Sequence, residues 1–84
     1  MTLIKPAKAI EAKVETDIKQ FPTADSDSLT LSQKFSLSAG DRLDIESYEE
    51  DASSFNGHYK VKLKMPEKGF LFWYAYISHI NVIE

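Results

Sequence analysis

The chain contains no cysteine, which removes disulfides, thiolate nucleophiles and thiolate metal sites together. It has three glycines, all isolated, so no Gly-rich loop can cradle a phosphate. Met1 to Val14 holds no apolar run of signal-peptide or membrane-spanning length. The chain is therefore expected to be soluble, with no membrane insertion. Its compartment stays open, as does export or cell-wall association if it is a piece of a longer protein. Positive charge is scarce in the middle: from residue 15 to residue 57, ten acids are opposed by only Lys19, Lys34 and Arg42. Phosphate binding needs a clustered positive surface, so nucleic acid is not an expected partner.

What is present fits one small globular domain. Eighty-four residues with 43% apolar and 27% charged content leave no room for a second domain. Five of the ten aromatic residues lie in Phe70-Leu71-Phe72-Trp73-Tyr74-Ala75-Tyr76. In a strand, Leu71, Trp73, Ala75 and Ile77 share one face, and Phe70, Phe72, Tyr74 and Tyr76 share the other. Both faces are apolar. The first is expected to point into the core. The second is covered by loop 20–34, or it is a binding groove or subunit interface.

Ile10, Ala12, Val14 and Thr16 alternate with polar residues, and the period of two predicts a strand running on through Ile18. Residues 21–28 are rich in turn formers and predict a loop, ended by a short helical turn near Leu31 to Lys34. Phe35 and Leu37 precede a turn at Ala39-Gly40-Asp41. Arg42 to Tyr48 alternates, placing Leu43, Ile45 and Ser47 on one face and Asp44, Glu46 and Tyr48 on the other. Asn56-Gly57 is a hairpin signal. Beyond it, Tyr59, Val61, Leu63 and Met65 are expected inward, with Lys60, Lys62 and Lys64 outward. Acids on the first of these strands and lysines on the second predict cross-strand pairs. Pro66-Glu67-Lys68-Gly69 reads as a turn, Ile77-Ser78-His79 as a tight connection, and Ile80 to Ile83 as the last strand.

Five to six short antiparallel strands with almost no helix predict a closed or nearly closed barrel, with short 3₁₀ turns possible. Residues 1–9 are read as an arm or linker and 10–84 as the barrel domain.

Thr16-Asp17-Ile18-Lys19, a Ser-rich loop, and Ser38-Ala39-Gly40-Asp41-Arg42-Leu43-Asp44-Ile45 together resemble the first half of a bacterial SH3-like domain. Gly57-His58-Tyr59-Lys60-Val61-Lys62-Leu63 and Trp73-Tyr74-Ala75-Tyr76 resemble its second half. The resemblance is to the extended type found in cyanobacterial and cell-wall-associated proteins, and it spans roughly residues 14–83. It implies a non-catalytic module that targets a partner domain to peptidoglycan or another extracellular ligand. Leu71-Phe72 replaces the polar pair that precedes the Trp in that pattern. Ile77-Ser78-His79 stands where proline-rich-peptide binders carry a Pro-x-x-Tyr-like 3₁₀ turn, so recognition of proline-rich peptides is not expected.

Enzyme signatures are missing. No serine stands in a Gly-x-Ser-x-Gly elbow, and His58 and His79 read as structural, with His79 bonding backbone in its turn. An EF-hand starting at Asp25 would need Gly and Glu where Thr30 and Ser36 stand. Glu49-Glu50-Asp51 reads as a solvated loop. The expectation is therefore no enzyme, no metal and no cofactor. Tyr48, Phe55, His58, Trp73, Tyr74 and Tyr76 are the candidate ligand contacts, and Glu49 and Glu50 the selectors of an amine-bearing group. The partner would be a cell-wall component or a protein or peptide. In the alternative, Phe70 and Phe72 form a homodimer or docking interface.

Overall fold

The computed structural model describes residues 3–21, 29–50 and 57–84, and these form an all-β fold. The strands are β1 (Leu3–Pro6), β2 (Ala9–Ala12), β3 (Thr16–Lys19), β4 (Lys34–Leu37), β5 (Arg42–Glu50), β6 (His58–Glu67), β7 (Phe70–Tyr76) and β8 (Ile80–Ile83). A 3₁₀ turn, Ile77–His79, joins β7 to β8. All pairings are antiparallel, in the order β4-β3-β7-β6-β5-β2-β8, and β1 also pairs with β5. Among the described residues the sheet is not closed, because β4 and β8 do not pair.

The expected five to six strands become eight because the N-terminal segment breaks twice. β1 lies within the stretch read as an arm, yet it pairs with β5 through Ile4↔Glu49 and Lys5↔Tyr48. After Pro6, which lacks an N–H, the chain steps over Ala7 and Lys8. β2 then resumes along the same edge of β5, with Ile10↔Leu43. The second break follows Ala12, where the Lys13 N–H donates to the His79 carbonyl at 2.8 Å. Val14, on the apolar face in the alternation, is 47% exposed at this bend.

Every strand except β1 supplies the core: Ile10 and Ala12, Ile18, Leu37, Ile45 and Tyr48, Val61 and Leu63, Trp73 and Ala75, and Ile80. The inward face of β7 is the one its alternation predicts. Trp73 has no exposed surface; its Nε1 donates to the Phe70 carbonyl at 3.0 Å and its ring meets Phe35 edge-on at 4.8 Å.

Two irregularities change which side chains point inward. A register shift between Ile45 and Ser47 inserts an extra residue into β5 against Leu63 and Lys62 of β6. A bulge reverses the alternation beyond it. Tyr48, expected on the outer face, is therefore buried beside Ile45's side of the sheet. A larger shift sets the step from Lys62 to Glu67 against the step from Phe72 to Phe70. Met65, expected inward, is 77% exposed there.

The turn between β6 and β7 is narrower than the sequence suggests. Lys68 (φ 53°) and Gly69 (φ 86°) carry it, and two consecutive positive φ values suit the twist of a two-residue hairpin. In place of the helical turn near Leu31, a single turn is closed by the Gln33 N–H on the Thr30 carbonyl. Residues 22–28 and 51–56 lie outside the described residues, and with them the middle of loop 20–34, the acidic-loop residue Asp51, Phe55 and Asn56.

Candidate functional site

One row of paired residues crosses six strands on the outer side of the sheet. It runs Ile4, Glu49, Lys60, Tyr74, Lys19, Lys34. Phe72 and Tyr76 flank Tyr74 on the same face of β7, about 13 Å apart at strand spacing. Phe70, Phe72 and Tyr76 are 45%, 47% and 39% exposed. Gln20 Nε2 donates to the Phe72 carbonyl at 2.7 Å and Lys68 Nζ donates to the Leu31 carbonyl. Both ends of loop 20–34 thus reach the region of β7, yet the Phe70 and Phe72 rings remain at the surface.

A cleft opens at each end of this face. The first, about 430 Å³, is lined by Glu15, Thr16, Asp17 and Lys19 from β3 and its approach, His58 from β6, Tyr76 from β7, and His79 from the 3₁₀ turn. The Tyr76 ring contacts two imidazoles, tilted against His58 at 5.2 Å and edge-on to His79 at 4.7 Å. The Ile77 N–H donates to the Gly57 carbonyl at 3.0 Å, tying the end of β7 to the start of β6. Gly57 has φ 75°, and a Cβ there would lie 3.5 Å from the Tyr76 ring. Thr16 Oγ1 and His79 Nδ1 are 2.9 Å apart. His79 is therefore held by a side-chain hydroxyl from β3, where a backbone partner in its own turn was expected. Ser36 Oγ donates to Asp17 Oδ1 at 2.7 Å.

The second cleft, about 290 Å³, is lined by Ile4, Ser47, Tyr48, Glu49, Lys60, Lys62 and Phe72. Lys60 Nζ sits 5.1 Å from the centroid of the Phe72 ring, within cation–π range. Lys62 pairs with Glu46 at 3.3 Å. That is the acid-to-lysine cross-strand pairing the two charge patterns imply.

The sequence-predicted contacts do not form one site. Tyr48 and Trp73 are core residues, and their rings are not available for stacking on a ligand. Glu50 is engaged on the other side of the sheet, 3.0 Å from Lys5 Nζ and accepting from Tyr59 Oη at 3.2 Å. Tyr48 Oη donates to Glu84 at 3.4 Å beside them. This cluster closes one end of the core. His58 is 4% exposed and reaches the first cleft, together with Tyr76. Glu49 and Tyr74 lie on the outer face; Phe55 falls outside the described residues. Glu15, Thr16, Asp17 and His79 were not among the predicted contacts. Their only signal was an acid pair next to a strand and a histidine in a tight turn, and pairing of β3 with β7 is needed to bring these to Tyr76.

The polar cluster sets a pH dependence of stability. The Lys5 ammonium holds the Glu50 carboxyl below its ordinary value of 4.5, and Glu50 holds Lys5 above 10.5. Burial, then the neighbouring carboxylates, push the Tyr48 and Tyr59 phenols up from 10.0. A lowered carboxyl contributes stability above its unfolded pKa and loses it as pH falls through the folded one. The three raised groups contribute below their unfolded values and lose it as pH rises through the folded ones. Glu50→Gln is therefore expected to flatten the acid limb of urea-unfolding midpoints below about pH 4.5, and Tyr48→Phe the alkaline limb above about pH 10.

No protein-family model matches this chain, and no curated protein or solved structure does either. Among the described residues, no three His, Cys, Asp or Glu side chains group to hold a metal ion.

Proposed function

We propose that this chain is a non-catalytic recognition module, related in kind to bacterial SH3-like domains, that takes its ligand along the outer face of β7. One observation carries the reading: Phe70, Phe72 and Tyr76 stay 39–47% exposed on a strand whose other face is the core. A cleft opens at each end of that face. Aromatic rings at the surface, with charged groups around them, suit a ligand that offers apolar or sugar-ring faces and polar ends. A peptidoglycan strand or an extended peptide has that character. The bent β5, shared by β6 on one edge and by β1 and β2 on the other, and the 3₁₀ turn before the last strand are compatible with an SH3-like arrangement.

Co-sedimentation with purified peptidoglycan tests this reading. Wild-type protein is expected in the pellet, and Tyr76→Ala should weaken retention by roughly ten- to thirtyfold, the range for an aromatic anchor at an interface. Wild-type protein left wholly in the supernatant would remove the cell-wall version.

A second reading is assembly, favoured by the exposure of Ile4, Met65, Phe70 and Phe72. Light scattering separates the two. A dimer that Phe72→Glu dissolves would mean that this face joins two copies of the chain. A monomer before and after the change leaves the face to a ligand.

A further inference from the structure

We infer that β1 is an exchangeable strand: two copies of the chain can trade it, each laying residues 3–6 on the outer edge of the other's β5. The inference goes beyond the recognition reading and does not depend on the outer face of β7. Among the described strands β1 stands apart in how it is held. It pairs with β5 and lies off the path that joins the other seven strands. No residue of it belongs to the core cluster, and Ile4, Lys5 and Pro6 are all exposed. It is held by four residue pairs on the ladder and by the Lys5–Glu50 ion pair at 3.0 Å. The two side chains of that pair are 46% and 35% exposed, and exposed pairs contribute little stability. Detaching β1 therefore removes no side chain from the core.

The join between β1 and the rest of the domain is short. Pro6 fixes its own φ and biases Lys5 towards extended backbone, so the arm keeps a strand-like shape when it leaves β5. Beyond the join, Lys8 is tied on both sides. Its N–H donates to the Ile83 carbonyl at 2.7 Å, and its carbonyl accepts from the Ile45 N–H at 3.0 Å. Between Pro6 and Lys8 stands Ala7, whose N–H reaches the Glu46 carbonyl at a longer 3.3 Å. Ala7 is the hinge.

A vacated β5 edge is a template for another strand. The segment that fits it carries a lysine opposite Tyr48, within reach of Glu50, and every copy of the chain brings one. A second copy therefore restores each ladder pair and the ion pair without any new interface, which is the low-cost route of strand swapping. Because the contacts are the same in both forms, the tethered strand's local concentration sets the balance between them. That concentration is roughly millimolar for a short link. The chain is expected to keep its own β1 at micromolar concentration and to exchange it as the concentration approaches millimolar.

The chain has no cysteine of its own, so introduced ones report on exchange. Ile4 and Glu49 are partners across the ladder, at a spacing that a disulfide can span. Full-length chains carrying Ile4→Cys are mixed with chains carrying Glu49→Cys at about 0.5 mM each in a glutathione redox buffer, near the tethered strand's own concentration. The double variant, at low concentration, should close within one chain and stay monomeric. In the mixture a disulfide-linked dimer is expected by intact mass. It should be at least about tenfold more abundant than with Lys64→Cys in place of Glu49→Cys, Lys64 being exposed on β6 and outside the β1 ladder. The link should persist when both chains also carry Phe72→Glu. Equal yields from the two partner chains would reduce the link to collision and overturn the exchange. Loss of the link with Phe72→Glu would assign the contact to the face of β7 and overturn it too. Failure of the double variant to close would contradict the pairing on which the exchange stands. Peptidoglycan retention is read separately, so none of these outcomes decides the recognition reading.

Discussion

Trp73→Ala is expected to lower the stability of the domain by about 3–5 kcal/mol. A domain of this length has roughly 4–13 kcal/mol in total, so the variant should be largely or partly unfolded at ambient temperature. Three losses combine. The indole is fully buried at the middle of the core cluster, and a cavity would remain among Ile18, Val61 and their neighbours. The edge-on contacts with Phe35 and Phe70, at 4.8 and 6.2 Å, would vanish. The Phe70 carbonyl would lose its donor. The measurement is the urea midpoint at constant slope. Trp73→Phe, which keeps an aromatic ring but not the donor, should cost distinctly less.

The second large effect concerns the phase of β5. Simple alternation from Arg42 places Ser47 inward and Tyr48 outward, whereas the bulge after Ile45 puts Tyr48 in the core and Ser47 opposite Lys62 on the outer face. Tyr48→Asp is therefore expected to cost more than about 4 kcal/mol, since it removes a packed ring and buries a carboxylate. Ser47→Asp should stay within about 1 kcal/mol, with Lys62 across the strand to face the new charge. Thermal or urea unfolding of the two variants side by side checks the phase. Equal tolerance at both positions, or the reverse order, would mean that β5 is regular.

These two positions also show what the sequence could and could not convey. The two faces of β7 followed from alternation alone, because a continuous strand with Trp73 and Ala75 in phase has one consistent interior. The existence and approximate limits of β4 to β8 followed from the same period. The bulges in β5 and β6 did not, because an inserted residue leaves no local mark when polar and apolar residues continue to alternate around it. Simple alternation puts Tyr48 and Met65 on the wrong faces for that reason. The break beyond Ala12 is hidden likewise, since period two persists from Ile10 to Ile18 although the chain changes partners between; β1 lies in residues 1–9, which the sequence reading takes as an arm or linker.

The candidate site was legible only in part. Phe70, Phe72, Tyr74 and Tyr76 could be read as a face needing an explanation. The acids that accompany Tyr76 could not be chosen among the ten of residues 15–57, because strand order decides which of them arrives there. β3 pairs with β7 at Lys19 and Tyr74, more than fifty residues apart. That single pairing brings Glu15 and Asp17 to the first cleft and leaves Glu49 at the second.

The central claim is that β7 holds the core with one face and a ligand with the other. Amide chemical-shift mapping with soluble peptidoglycan fragments tests it most directly. The account predicts perturbations that follow Phe72, Tyr74 and Tyr76 and extend to Lys19 and Lys60 beside them, in a protein whose core signals stay in place. Perturbations confined to the opposite side of the sheet, around Lys5, Glu50 and Glu84, would contradict it, as would a spectrum that the fragments leave unchanged.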